Sequence, residues 1–212
     1  MPRSSPSSSS SSSSSSIPQR AMQSLYETST YKRKLPYTKR AIIGWLGGAY
    51  LSLGGFLAAV IAGGMQQQIP GVAKLAYACL FPIGLLLIVF GQVDLFTSNC
   101  MTVTIGVLGD MKKPHNITDR YCTSDVVKVL INSWLWNFIG SLCMSFFLVH
   151  QGEFLTSGST TAAYFTLMVH KKLALSGAAV IFRGISANWL VCLAVFLANG
   201  TSNNLEKAVF IW

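Results

Sequence analysis

One apolar run, from Leu75 to Leu108, constrains this chain more than any other feature. About 20 apolar residues are enough to cross a bilayer as helix, and this run is too long for a single crossing. Its middle, residues 91–99, reads Gly-Gln-Val-Asp-Leu-Phe-Thr-Ser-Asn and is too polar to be helix facing lipid. Irregular backbone at membrane depth is tolerated only where it is buried in protein or lines a cavity. A polar interruption of an apolar span is also the usual pointer to a substrate site in membrane proteins. The helix is therefore expected to break at residues 91–99, and the break to carry the function.

The rest of the chain divides around this run. A first span is expected over residues 41–62, rich in Gly and Ala positions that permit close helix approach in lipid. A polar loop follows, with Gly63, Gly64, three glutamines and Pro70-Gly71 as turn residues. The second span covers 72–91 and resumes after the break as a half-length piece, 100–109. Residues 110–124 read as a polar loop and 125–149 as the third span. Residues 151–161 are a loop, and the fourth span starts at 162 or 173 and ends at 197. After a turn at 199–204, residues 205–212 look like the opening of a further apolar segment.

Hydrophobic residues make up 51% of the chain and charged residues only 11%, less than half the roughly 25% of a soluble domain. The net charge of +9 is concentrated at Lys32, Arg33, Lys34, Lys39 and Arg40, before the first span, and at Lys112, Lys113 and Arg120. That distribution orients spans in a membrane with the amino terminus cytosolic, rather than marking a nucleic-acid surface. The five cysteines include no Cys-x-x-Cys pair, so spacing indicates neither a metal site nor a disulfide framework; they read as packing residues. Residues 1–40 are serine-rich and basic and are expected to form a disordered tail, with 41–212 as the transmembrane domain. No Ser/His/Asp or phosphate-loop arrangement is present, so the chain reads as neither an enzyme nor a cofactor-binding protein.

Two stretches resemble the formate–nitrite transporter (FNT) family, which moves small monovalent anions. Asp94-Leu95-Phe96-Thr97-Ser98 is similar to the family's loop motif in its broken second helix. Gly184-Ile-Ser-Ala-Asn188-Trp-Leu-Val-Cys192-Leu-Ala194 fits its fourth-helix signature at every constrained position. The family's loop has glycine two residues before the acid; this chain has Gln92 there and Gly91 one place earlier, which leaves either a shifted turn or an altered pore lining. The resemblance covers residues 41–212. It implies an all-α polytopic membrane protein with an aquaporin-like fold, six helices in two inverted repeats, the second and fifth broken. It also implies a homopentamer in which each protomer holds its own pore. Against that pattern the chain supplies the first four spans and a stub of the fifth, as though truncated, and His115, His150 and His170 do not stand where the family carries its central histidine.

The resemblance also assigns roles. Thr97 would face the anion, since a hydroxyl can donate to an anion or accept from an imidazolium, and the N-terminus of the following half-helix favours negative charge. Leu95 and Phe96 would form one apolar constriction, with Phe81 and Leu85 on the opposite one. Lys172 stands where the family has a lysine near the outer vestibule. Asp94 and Asn99 are read as structural at the loop, and Asn188 as the tie between loop backbone and the fourth helix. Arg183, a guanidinium within a span, would either face anions or satisfy carbonyls at the protomer interface, and the structural role is the expectation. These assignments lead to a channel or secondary transporter for formate, nitrite, bicarbonate or lactate, coupled to a proton, in the plasma membrane or a plastid envelope. The alternative is a truncated, non-conducting subunit that acts in assembly.

Overall fold

Helix begins well before the first expected span. The computed structural model describes residues 15–113, 120–153, 155–156 and 158–212, so Pro114, His115 and the first fourteen residues of the expected tail lie outside the described part. From Ile17 on, the expected disorder is wrong. Helix α1 (Ile17–Lys34) starts where the Ser16 amide donates to Gln19 Oε1 at 2.9 Å, half of a Ser-x-x-Gln capping box. Ala21, Leu25 and Ser29, four residues apart, form one buried stripe, and burying that stripe against α5 (Phe96–Met111) and α8 (Gly177–Asn199) is what stabilises the helix. At its end the Arg40 guanidinium, itself buried, donates to the carbonyls of Lys32, Arg33 and Leu35. Arg40 therefore closes a helix end rather than serving only as a topological charge.

Helix α2 (Tyr37–Met65) is the first span and the packing centre. Against it lie α3 (Pro70–Leu80), α4 (Pro82–Phe90), α6 (Thr123–Phe146) and α7 (Thr160–Leu173). The α2–α6 crossing depends on reciprocal glycines: a Cβ on Gly48 would overlap the Asn137 carbonyl, and one on Gly140 would overlap the Trp45 carbonyl. Small residues at the crossing let the two backbones meet, the usual solution where lipid offers no hydrophobic drive.

The second span, expected as one helix over 72–91, is split at Phe81-Pro82 into α3 and α4. After the polar break, α5 is longer than the expected 100–109 piece. Helix α6 ends in a π turn, Phe147–Gln151. The open start of the fourth span resolves into two helices. Ser159 Oγ accepts the Ala162 amide at 3.2 Å and begins α7; Ser176 Oγ accepts the Ala179 amide at 3.3 Å and begins α8, each an N-cap. Asn203 caps α9 (Asn204–Ile211) in the same way. Among the described residues, four helical stretches are long and apolar enough to cross a membrane: Tyr37–Met65, Pro70–Phe90, Thr123–Gln151 and Gly177–Asn199. Among the described residues there is no strand.

Candidate functional site

The break between α4 and α5 is a turn stitched to three other elements. Gln92 adopts a left-handed φ of +52°, while Gly91, at φ −74°, closes α4 in helical geometry. Gln92 thus takes a conformation that glycine adopts freely, at the cost a side chain incurs there. From Gln92 the chain is extended, and the Asp94 amide donates to the Ile43 carbonyl of α2 at 3.1 Å. Gly47 makes that approach possible, because a Cβ there would overlap the Asp94 carbonyl.

Asn137 of α6 holds both sides of Leu95. Its Nδ2 donates to the carbonyls of Asp94 (2.9 Å) and Gly44 (2.7 Å), and its Oδ1 accepts the Phe96 amide at 2.7 Å. One side chain thus satisfies two backbone groups that helix breaking sets free, the Asp94 carbonyl and the Phe96 amide, and ties them to the α2 backbone at Gly44. Asp94 and Asn99 are buried beside it. Lys32, from α1, places Nζ 2.7 Å from Asp94 Oδ1 and 2.6 Å from Asn99 Oδ1, and Asn99 Nδ2 donates to both Asp94 oxygens at 3.0 Å. A carboxylate next to an anion site would repel the anion. Here its charge is already matched.

Thr97 stands in the first turn of α5. Its hydroxyl oxygen is buried and has no hydrogen-bond partner among the described residues. Neither its amide nor that of Ser98 meets an acceptor among the described residues, as the first turn of a helix dictates. Three donors and a positive dipole end therefore converge with nothing to bind them. Next to the break, a cavity of about 560 Å³ opens between α1, α4 and α9, with Lys32, Lys39, Lys207, Gln92, Ser98 and Thr102 in its wall. Its cationic lining would concentrate anions.

The remaining expected residues fare unevenly. Leu85 and Leu95 meet in one buried cluster with Ile88, Ile105 and Val195. Phe96 is half-buried, and Phe81 sits at the α3–α4 junction, stacked on Tyr77 at 5.8 Å. Lys172 is exposed in the last turn of α7, and α7 packs on α2 rather than beside the break, so the structure does not bring Lys172 to Thr97. Asn188 makes no bond to the loop; its Oδ1 receives Cys192 Sγ at 3.6 Å, and it is Cys192 that reaches the loop side, with Sγ 3.4 Å from the Thr97 carbonyl. Arg183 is exposed on α8. Sequence reasoning missed two anchors, Lys32 and Asn137. Asn137 left a signal as an amide inside an apolar span; Lys32 was one of a crowd of basic residues and left none. No cluster of three or more His, Cys, Asp or Glu side chains occurs among the described residues.

Comparisons with known proteins agree with this fold. The family model described as formate/nitrite transporter matches residues 19–212, a match that takes in most of α1. A probable formate transporter from Methanothermobacter thermautotrophicus is 33% identical, over 85% of this chain and 68% of its own length. Among solved structures, an FNT family ion channel superposes with a TM-score of 0.78 at 23% identity, covering 92% of this chain and 73% of that one. A pentameric formate channel with formate bound superposes with a TM-score of 0.68 at 22% identity, covering 82% and 65%.

Proposed function

The chain belongs to the formate/nitrite transporter family, and from that premise we propose that Thr97 is the anion-facing residue of a path for formate, nitrite, bicarbonate or lactate. At the coarser level, family membership makes the chain a multi-pass membrane anion channel or transporter and not an enzyme. The observation that carries the finer reading is the buried Thr97 hydroxyl left without a partner beside two unpaired amides. A buried donor with no acceptor costs about 1–3 kcal/mol, and a passing anion removes that cost.

Proton coupling follows from the neighbours. Leu95, Phe96 and Leu85 border the site, with Phe81 further along the same span, and apolar walls raise the cost of a bare ion above that of a protonated one. Asp94, Asn99 and Lys32 hold the loop and keep its acid neutralised. Lys172 acts at a distance, drawing anions to the far end of α7. The working assembly is a homopentamer in a lipid bilayer, as in the pentameric formate channel; the plasma membrane is its place, with a plastid envelope as the other candidate. The test is uptake of each of the four anions into proteoliposomes carrying the full chain, with an internal pH dye. Uptake accompanied by internal acidification supports the reading; no uptake of any of them by correctly inserted protein overturns it.

One observation favours a second reading, a non-conducting subunit that assembles with others. In the most apolar stretch of α2, 44% of residues are buried, but in that of α8 only 6%. If the chain forms a mixed oligomer and adds no uptake to its partner's, this second reading holds.

A further inference from the structure

Two cysteines that are far apart in sequence meet beside Thr97. Cys100 on α5 and Cys192 on α8 line one cavity of about 410 Å³, together with Met101, Ile185, Trp189 and Leu193. Their sulfurs sit over consecutive carbonyls of the first turn of α5: Cys100 Sγ is 3.4 Å from the Phe96 oxygen and Cys192 Sγ 3.4 Å from the Thr97 oxygen. Neither thiol is in a disulfide.

The chemistry of this set is narrow. Apart from Asn188, every side chain in the cavity wall is apolar or sulfur-bearing. A soft metal ion does not need a thiolate in advance, since binding itself expels the proton. Sulfur donors from Cys and Met select copper(I)-like ions over hard cations. Zinc is excluded by number, because its sites take three or four strong ligands and only two thiols and a thioether are here.

We propose that Cys100 and Cys192 form a binding site for one soft monovalent d10 metal ion of the copper(I) or silver(I) class, with Met101 as the neighbouring thioether. One thiol gives up its proton and forms the metal–sulfur bond; the second sulfur coordinates as a neutral donor, and one proton leaves. The product, Cys–S–metal with a neutral donor, carries no net charge, which suits an apolar cavity. Bound there, the ion bridges α8 to the turn that carries Thr97 and fixes the anion-facing hydroxyl in one position. The site requires only the α5–α8 juxtaposition and does not depend on the chain transporting anything.

The experiment is titration of the full chain in detergent with silver(I) against a competing thiol chelator, followed by the sulfur-to-metal ultraviolet band. The expected result is one tightly bound silver ion per chain, lost in Cys100→Ser and in Cys192→Ser. It should be retained when Cys79, Cys122 and Cys143 are all replaced by serine. Serine keeps the hydrogen bond to the carbonyl, so both single variants should melt as the parent does, and Cys100→Ser alone decides the matter if Cys192→Ser does not fold. Retention of the ion by Cys100→Ser, or its loss in the triple variant, overturns the proposal. Because the readout is metal binding, a null result in the uptake assay leaves it untouched.

Discussion

The apolar run of residues 75–108 is interrupted twice, and the two interruptions are built differently. At Phe81-Pro82 the chain never leaves helical geometry: the Phe81 amide still reaches Tyr77 at 3.0 Å, and the Gly84 amide reaches the Phe81 carbonyl at 3.1 Å. Pro82 stands at the first position of α4 and has no N–H to reach Ala78, so the bend gives up that one bond. At residues 91–95 the chain turns left-handed and then extended, and partners for its backbone come from α2 and α6, with α1 supplying the countercharge. A proline bend is a local event. A polar break exists only once the tertiary structure has formed around it, and that dependence is what lets it hold Thr97 unpartnered.

Substitutions can break this contrast in order of size. Lys32→Ala should have the largest effect, costing about 3–5 kcal/mol because it leaves a buried carboxylate unpaired. Thermal unfolding in detergent reads this as a clear drop in Tm, and adding Asp94→Asn should recover part of it. Asn137→Ala comes next. The Asp94 carbonyl and the Phe96 amide lose their partner, and a cost of about 3 kcal/mol is expected. Gln92→Gly should raise stability by about 1 kcal/mol by relieving the left-handed strain; a loss on the same melting curve would mean the Gln92 side chain has a role the turn does not reveal. Pro82→Ala is the smallest, about 0.5 kcal/mol from added freedom in the unfolded chain. If Pro82→Ala costs more than Asn137→Ala, the contrast between the two interruptions is wrong.

The same contrast explains what could be read in advance. The break itself was legible, since Asp94, Thr97, Ser98 and Asn99 stand out from apolar surroundings within a few residues. The split at Phe81 was not anticipated, although Pro82 marks it. The anchors of the polar break reach it from helices distant in sequence: Asn137 showed only as an amide inside an apolar span, and Lys32 looked like its basic neighbours. Helix α1 was hidden by its composition. Its buried stripe of Ala21, Leu25 and Ser29 is too polar and too short to register as a core, and only the Ser16–Gln19 capping pair announced a helix.

The most direct measurement compares Thr97→Ser and Thr97→Val in formate and nitrite uptake by proteoliposomes. Valine keeps the shape and removes the donor, whereas serine keeps the donor. With Thr97 as the anion-facing hydroxyl, the serine variant should transport at close to the parent rate. The valine variant should fall about 10- to 100-fold, the equivalent of one hydrogen bond to a charged partner. A valine variant that transports as fast as the parent would contradict the account.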